Sequence, residues 1–411
     1  MKTKNHRIFS LTAAALAATL LSALPAQAMD WSGYFRAGPA AASKGQSRAS
    51  SCYGLKGTEG LKYRLGNECD IYGEFLMSQD FKKDGVEWKA NFMANMYRPG
   101  TDTPDYKQVG VNQLYLEAKG FSFAPEASVW AGKRFYGRDG VHIVDTNFTN
   151  LSGVGAGIDN IKLGAAQLNL AFFRNDNNSF DAAGVVTDDQ HPGNRFNVDL
   201  HDIAVNPGGT LRFTGSLVNA DFKGGKSGVG LSVEHKQDNA FGLGGANLLF
   251  VQYAQGTAAL NGGFGDLKTD SGTRGFRIVE SMNWQVGPFG GQAIAMWTQN
   301  RDGLTRLKTN SSTVGGRLSY AITPQIKLLA EIGYSQIKPD GAPTQKLAKL
   351  TLGPALSTGP GLFDRPELRL YVTNAKWNAA ANAAAGPAGL TGAGDGKTNG
   401  TSFGAQVEVW F

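Results

Sequence analysis

Apolar and polar side chains alternate without a break along the last ten residues of the chain, SFGAQVEVWF. The apolar parity holds Phe403, Ala405, Val407, Val409 and Phe411, and the other parity holds Ser402, Gly404, Gln406, Glu408 and Trp410. Successive side chains of a strand point to opposite faces. The pattern therefore predicts a β-strand with one apolar face and one polar face.

The same alternation recurs in at least four other segments. They are TLRFTGSLV (210–218), GVGLSVEHK (228–236), QIKLLAEIGY (325–334) and PELRLYV (366–372). A soluble β-sandwich also alternates, so a single strand does not separate the two fold classes. Many such segments, joined by short turns at one side and long polar loops at the other, are typical of a transmembrane β-barrel. We therefore predict an all-β, antiparallel barrel.

Turn and loop signals support two different rims. NPGG (206–209), VGPFGG (286–291) and Thr323-Pro324 predict short turns, while 174–195 and 378–400 are long and polar. Glycine is abundant at 55 of 411 residues, which favours many turns. The last residue, Phe411, is an aromatic end of the kind found in barrels of bacterial outer membranes.

The first 28 residues have the pattern of a secretory signal peptide. Lys2, Lys4 and Arg7 precede the apolar run LTAAALAATLLSALP, and Ala26-Gln27-Ala28 supplies the small residues of a cleavage site. A membrane anchor helix is the alternative, but this apolar run is too short for one. We expect residues 1–28 to be removed and residues 29–411 to form one barrel domain in a bacterial outer membrane.

Charge and cysteine content narrow the choice of partners. The 40 Lys+Arg and 34 Asp+Glu are scattered without a basic block, so nucleic acid is not an expected partner. Cys52 and Cys69 are an even pair, which indicates a disulfide in an oxidising compartment, with two free thiols as the alternative. None of the five histidines lies near this pair, so no metal or cofactor is predicted.

Motifs for catalysis are weak. GVGAG (153–157) and KGGKSG near Lys223 lack the spacing of nucleotide-binding loops. His142 lies between apolar residues in VHIVD, and we interpret it as a packed structural histidine. No nucleophile, acid pair or metal cluster can be assembled, so an enzyme is not predicted.

Aromatic residues fall on the polar parity of several strands. Trp410 does so in the last strand, Tyr34 alternates with Arg36, and Tyr72 shares a parity with Glu74. Rings beside charged hydrogen-bonding groups suit sugars, whose apolar face stacks and whose hydroxyls accept and donate hydrogen bonds. The same rings could instead form the interfacial girdle of a barrel, and parity alone does not separate these readings.

The chain resembles the maltoporin-type sugar porins from Asp30 to Phe411. The matching blocks, in order, are GYFRAG (33–38), KYRLGNECDIYGE (62–74), WAGKRFYGRDGVHIVD (130–145), NPGGTL (206–211), VQYA (251–254), EIGY (331–334), RPELRLYVTNAKW (365–377) and FGAQVEVW (403–410). The resemblance implies an 18-stranded homotrimeric barrel whose third loop, within 130–157, folds into the lumen. It also implies a disulfide between Cys52 and Cys69 in the first loop.

The resemblance further implies an aromatic slide beside an ionic track that guides an oligosaccharide substrate. The slide is represented by Tyr34, Tyr72 and Trp410, and the track by Arg36, Arg64, Glu74, Lys107, Arg138 and Asp145. Past Asp145 the family has aromatic residues and then a carboxylate, where this chain has Thr146, Asn147 and Asn150. Asn147 and Asn150 are therefore included as candidate substrate-binding residues.

Other departures make the predicted slide less aromatic than in the family. Ser311-Ser312 stand before TVGGR where a tryptophan is expected, the aromatic residue before VQYA is shifted to Phe250, and the second loop has no tryptophan. The leading hypothesis is facilitated diffusion of maltose, maltodextrin or other di- and oligosaccharides, across a membrane whose lipid surrounds the barrel. The alternative is a general diffusion porin without a specific sugar site.

Overall fold

The computed structural model of the chain describes residues 29–42, 52–55, 62–99, 109–177 and 191–411. The predicted signal peptide, 1–28, lies outside the described residues. Within them, no helix has the length and apolar character needed to cross a bilayer.

Strands account for most of the described chain. The first ten are β1 (Asp30–Ala37), β2 (Ala40–Ala42), β3 (Asp70–Lys83), β4 (Val86–Pro99), β5 (Val109–Phe121), β6 (Ala124–Arg134), β7 (Asp139–Val141), β8 (Thr146–Thr149), β9 (Gly153–Leu163) and β10 (Ala166–Asn177). The others are β11 (His191–Asn206), β12 (Gly209–Ala220), β13 (Ser227–Asp238), β14 (Ala246–Gly256), β15 (Arg274–Val286), β16 (Phe289–Arg301), β17 (Lys308–Ala321), β18 (Ile326–Pro339), β19 (Gln345–Ser357), β20 (Glu367–Trp377) and β21 (Asn399–Trp410).

The main sheet closes on itself into a barrel. Its first strand, β1, pairs antiparallel with both β3 and β21, and β2 continues the same edge beside β21. The sheet has 19 segments, and counting β1 and β2 as one interrupted strand gives 18 barrel strands. Two segments, β7 and β8, form a separate small ribbon. The prediction of a closed, 18-stranded antiparallel barrel is confirmed.

The alternation seen in the sequence sorts side chains between the two faces of the wall. Leu217 and Leu231 are 62% and 57% exposed, whereas the neighbouring Ser216 and Ser232 are 2% and 6% exposed. Apolar side chains thus point outward and polar side chains inward, the reverse of a soluble protein and the arrangement of a barrel in lipid. The five segments read as strands from their alternation fall in β12, β13, β18, β20 and β21, apart from one end residue in three of them.

Connections differ in length between the two rims. Residues 84–85, 122–123, 164–165, 207–208 and 287–288 make two-residue turns at one rim, which we call the turn rim. Residues 135–152, 257–273 and 378–398 make long connections at the other, the loop rim. The strands around 174–195 extend further than the sequence suggested, since β10 ends at Asn177 and β11 begins at His191.

Two of the connections pack against the inner face of the wall. From 135–152, Phe148 meets Phe250 of β14 with ring centroids 5.5 Å apart, and the Ile143 amide donates to Gln292 of β16. From 62–69, the Tyr63 ring covers Gly315 and Gly333, where a Cβ would overlap it. These contacts make the main buried apolar cluster, so the core lies between the inserted segments and the wall.

Candidate functional site

Three aromatic side chains form a row on the inner face where the barrel closes. In the strand register, Tyr34 of β1 lies opposite Trp410 of β21, and Arg36 lies opposite Tyr72 of β3. The rings of Tyr34 and Trp410 are stacked with an interplanar angle of 22° and centroids 6.5 Å apart, and those of Tyr34 and Tyr72 are 6.1 Å apart. The structure therefore brings the three predicted slide residues together.

Arg36 lies beside this row and is held by carboxylates. Its Nε and Nη2 donate to the two oxygens of Asp70 at 2.8 and 2.9 Å, and its Nη1 lies 3.1 Å from Glu68. The same Nη1 donates to Asp145 at 3.2 Å, which ties β1 to the segment 135–152. The guanidinium also lies over the Tyr72 ring, 5.2 Å from its centroid.

Arg64 joins the inserted segment 62–69 to the closing strands. Its Nη2 donates to Glu408 at 2.8 Å and to the Tyr34 hydroxyl at 2.7 Å, and its Nε donates to Glu68 at 2.7 Å. Burial by itself would lower the pKa of Arg64, but the charges of Glu68 and Glu408 outweigh it and raise this pKa well above its usual range. Arg64 therefore stays charged, and it is almost fully buried.

Glu74 belongs to a smaller hydrogen-bonded group on β3 and β5. Its carboxylate accepts from the Tyr72 hydroxyl and, at 3.0 Å, from the amide of Asn112. Asn112 also donates to the Tyr72 hydroxyl at 3.2 Å. This network fixes the hydroxyl edge of the Tyr72 ring and leaves for stacking the ring face that Arg36 does not cover.

Asp145 presents its charge at the end of a short turn in the segment 135–152. It follows the 3₁₀ turn His142–Val144 and has a left-handed backbone with φ of 53°. Burial by itself would raise the pKa of Asp145, but the charges of Arg64, Lys62 and Arg36 outweigh it and lower the pKa to about 2. Since its carboxylate is partly exposed, Asp145 offers an acceptor to a solute beside the aromatic row.

Arg138 places a positive charge on the same segment, 135–152. Its guanidinium lies over the Phe135 ring, 4.1 Å from the centroid. When the Asn147 amide is oriented with its oxygen toward Arg138, this oxygen accepts hydrogen bonds from Nη2 of Arg138 at 2.8 Å and from Nε at 3.1 Å. Asn147 therefore orients Arg138.

His142 packs at the tip of the segment against the aromatic row. Its ring makes edge contacts with Trp410 and Phe363, at centroid distances of 5.9 and 5.5 Å, and its Nε2 lies 3.6 Å from Glu408. Burial and the positive charge of Arg64 lower the pKa of His142 to about 4. Its ring is thus neutral at pH 7, in keeping with the interpretation as a packed histidine.

The remaining predicted residues lie apart from this group. Asn150 accepts from the hydroxyl of Ser152 at 2.6 Å and lines a separate cavity near Lys133 and Phe264. Lys107 lies outside the described residues. Of the residues noted as departures, Ser311 is buried on the inner face and Phe250 is taken up by packing against Phe148.

The Cys52–Cys69 disulfide predicted from the sequence is present. It joins the start of the described part of the first connection to the residue before β3, at a sequence separation of 17. Arg64 and Glu68 lie inside the resulting loop. The disulfide therefore anchors the segment that carries part of the charged group.

Some members of the group were not singled out from the sequence. Glu408 accepts from Arg365 and Arg369 at 2.9 Å each, and Arg365 lies 4.6 Å from the centroid of the Trp410 ring. Glu408 has the same parity as Trp410, which is a signal that could have marked it. Phe363 and Arg365 belong to the connection 358–366, and only the folded chain shows that this connection reaches His142 and Trp410.

A family model described as LamB porin matches residues 29–411. Among solved structures, the chain is similar to OccAB1 of Acinetobacter baumannii, with 12% identity, a TM-score of 0.51 and coverage of 93% of this chain and 97% of that one. It is also similar to OccK2 (OpdF) of Pseudomonas aeruginosa, with 10% identity, a TM-score of 0.50 and the same two coverages. At these identities the structural likeness supports the fold alone.

Proposed function

This chain belongs to the LamB porin family, and from that premise we propose that it is a sugar channel that works through an aromatic slide and an ionic track. The family consists of diffusion channels and not of enzymes, and the barrel fits a bacterial outer membrane. The proposal concerns the solute: di- and oligosaccharides, with maltose and maltodextrins as the first candidates. Transport is passive.

The observation that carries the proposal is the aromatic row formed by Tyr34, Tyr72 and Trp410 beside charged groups. A pyranose ring can stack on the row while its hydroxyls reach the partly exposed Asp145 and Glu74. Each such contact is weak, so a sugar can exchange water for protein stepwise and still leave. A pore without a sugar site has no use for stacked rings on its polar inner face.

The segment 135–152 is the proposed constriction. Its residues contact the neighbouring strands β1 and β21 on one part of the wall, and β14 and β16 several strands further around the barrel. A connection that reaches such distant strands from within narrows the space between them. Arg138, Asn147 and Asp145 would then face a passing solute, and Asn150 would act nearer the loop rim.

The sugar preference follows from the polar replacements in this chain. Asn147 orients Arg138 and adds no ring, and Ser311 adds no ring on the inner wall. We expect maltohexaose to block the channel more weakly than it blocks a typical maltoporin, whereas a bulkier disaccharide such as sucrose passes. Removal of residues 1–28 and assembly as a homotrimer belong to the same proposal.

The test is a planar lipid bilayer carrying the full-length mature protein, with maltose, maltohexaose and sucrose titrated against ion current. We expect current steps in threes that these sugars close. Tyr72→Ala should weaken the block about fivefold, the equivalent of about 1 kcal/mol of lost stacking. Tyr334→Ala, which removes an outward tyrosine of β18, is the matched control and should leave the block unchanged.

A current that no sugar reduces would refute the sugar site and leave a general diffusion porin. That alternative has one favouring observation, the polar replacements at Asn147 and Ser311. Equal loss of block in Tyr72→Ala and Tyr334→Ala would refute the slide, because it would show that the effect comes from the stability of the barrel.

A further inference from the structure

Positive side chains line the outward face of the wall at the loop rim over six consecutive strands, β15 to β20. Each strand supplies one such residue at or next to its end at that rim. They are Arg274, Arg301, Lys308, Lys338, Lys346 and Lys376, and we call them the cationic row. Their parity is opposite to that of buried neighbours such as Arg277, Ser311 and Lys349, so they point away from the lumen.

The row lies just beyond the apolar belt of the barrel. On β16, β18, β19 and β20 its members are each four positions from an exposed apolar or aromatic residue: Trp297, Tyr334, Leu350 and Val372. Four residues span about 13 Å along a strand. Since barrel strands tilt by roughly 35–45°, this corresponds to about 10 Å along the membrane normal, the depth of the lipid headgroups.

The opposite rim of the same strands shows that the row is one-sided. The outward residues there are Val286, Phe289, Tyr320, Ile326, Leu356 and Leu368, and none is charged. General solubility would place charge at both rims of the wall. A row at the loop rim alone indicates a partner that is present at that membrane surface.

Like charges lie directly side by side within the row. In the register of β15, β16 and β17, Arg274 pairs with Arg301, and Arg301 pairs with Lys308. Directly opposed residues have Cβ atoms about 5 Å apart, and like charges in that position are destabilising. An anion between the side chains would turn this repulsion into attraction.

No internal anion fills that role in the part of the chain that the structure describes. None of the six cations has a carboxylate within salt-bridge distance, and Nε of Arg301 is buried without a hydrogen-bond partner. The acidic residues of the adjoining connections accept hydrogen bonds from backbone N–H groups, in one case from that of Lys308 itself. Asp270 accepts from Gly272, Asp302 from Leu304 and Thr305, and Asp340 from Lys308, each through a backbone N–H.

We propose that the cationic row binds phosphorylated lipid headgroups of the membrane leaflet at the loop rim. A phosphate offers oxygens that Arg receives in a fork and that Lys receives as a point charge. The acyl chains of the same lipid would lie along the apolar belt below. A second copy of this face does not suit the row, because two identical cationic rows repel each other. The inference does not depend on which solute passes through the channel.

The test measures lipid binding to the intact protein in detergent by native mass spectrometry. The probe is diphosphorylated lipid A, and the comparison lipid is the same molecule with both phosphates removed. The variant is Lys308→Gln/Lys338→Gln/Lys346→Gln. Its matched control, Lys223→Gln/Lys226→Gln/Lys268→Gln, removes the same charge from exposed residues of connections outside the six strands β15 to β20.

We expect the wild type to prefer the phosphorylated lipid. The row variant should bind it between about tenfold and 100-fold more weakly, the range for roughly 1 kcal/mol or less per removed charge near a lipid surface. The control should bind as the wild type does, and Lys308→Arg/Lys338→Arg/Lys346→Arg should restore binding. This arginine variant also shows whether the positions tolerate substitution without loss of the barrel.

Two results would overturn the proposal. One is equal binding of the phosphorylated and dephosphorylated lipids by the wild type. The other is a row variant that binds the phosphorylated lipid normally, or one whose only change is in the association between protein chains, which would assign the row to a protein contact.

Discussion

At the scale of single residues, the site is organised around a buried carboxylate. Glu408 has no exposed side-chain surface and receives the guanidiniums of Arg64, Arg365 and Arg369. Removing charged groups from water costs several kcal/mol per ion, so such a cluster adds little net stability while complete. When one partner is lost, the uncompensated charges that remain are strongly destabilising.

Glu408→Gln should therefore destabilise the protein, by about 3–5 kcal/mol, because three buried guanidiniums lose a shared charge. The measurement is the midpoint of urea-induced unfolding in detergent micelles or bilayers. Glu87→Gln is the control: Glu87 pairs with Lys82 and Lys119 on an exposed hairpin and should give no measurable change. Similar midpoints for the two variants would contradict the role given to Glu408.

His142 gives a pH dependence with a definite sign. Its pKa falls from 6.5 in the unfolded chain to about 4 in the folded one, because burial and Arg64 disfavour the charged ring. The unfolded state thus binds the extra proton first. The contribution of neutral His142 to the free energy of unfolding is fully present above pH 6.5 and is lost as the pH falls toward 4.

We expect the stability of the wild type to decrease over that interval and that of His142→Gln to decrease less. The measurement is the free energy of unfolding between pH 7 and pH 4, with Asp145→Asn as a reference. The pKa of Asp145 is lowered to about 2 from 3.8, so its contribution is lost only below that interval. Parallel curves for the wild type and His142→Gln would contradict this assignment.

At the scale of elements, the site depends on connections that turn back against the wall. The segment 62–69 is held by the Leu65 amide on Glu331, by the Arg64 amide on Ile143 and by the disulfide before β3. It supports the tip of 135–152, which carries His142 and Asp145. The disulfide therefore holds the segment 62–69 in place, and this segment in turn holds the tip of 135–152 with its charged residues.

Cys52→Ser/Cys69→Ser should loosen 62–69 while the barrel persists. A loop closed by a bridge over 17 positions is stabilised by about 3 kcal/mol in the chain-entropy model. We expect hydrogen exchange at the amides of Arg64 and Leu65 to become faster, while the amides of β12 and β13 are unaffected. Reductant should reproduce the effect in the wild type and do nothing further in the variant; unchanged exchange at both amides would refute the anchoring role.

At the scale of the whole molecule, closure of the barrel reverses the usual distribution of polarity. Outward positions on β18 carry Ile332 and Tyr334, while the adjacent Glu331 and Ser335 are buried inside. The effect of a substitution on stability therefore depends on whether its position faces the lipid or the lumen, and on its depth in the membrane. The charge that the sequence tolerates at Lys338 is not tolerated lower on the same face.

Ile332→Lys should destabilise the barrel in a bilayer by about 2–4 kcal/mol, the cost of a cation on the lipid face near the midplane. Gln336→Lys lies on the same strand and face, one step below Lys338, and should cost about 0–1 kcal/mol. The measurement is reversible unfolding from phospholipid vesicles. Equal costs for the two variants would contradict the placement of the apolar belt.

The sequence by itself determined the wall. Alternation at Phe403–Phe411 and in 210–218 fixes which side chains face lipid, because a strand has only two faces. A one-residue slip would turn every apolar side chain to the lumen and every polar side chain to the lipid. The sequence also predicted the disulfide and showed that Tyr34, Tyr72 and Trp410 share the polar parity, although only the family resemblance assigned these rings to the lumen. Strand ends were less certain, since polar residues such as those beyond Arg174 pair as readily as they form a loop.

Only the tertiary structure decided the contacts inside the barrel. Parity says that Glu408 points inward but not that Arg64, Arg365 and Arg369 converge on it. Ring closure, the inserted segment 62–69 and the connection 358–366 bring these residues together. The contact of His142 with Phe363 and the side-by-side placement of the cations at the loop rim were likewise visible only in the folded chain. Such contacts depend on strand register and on how connections pack, quantities that no local period of the sequence encodes.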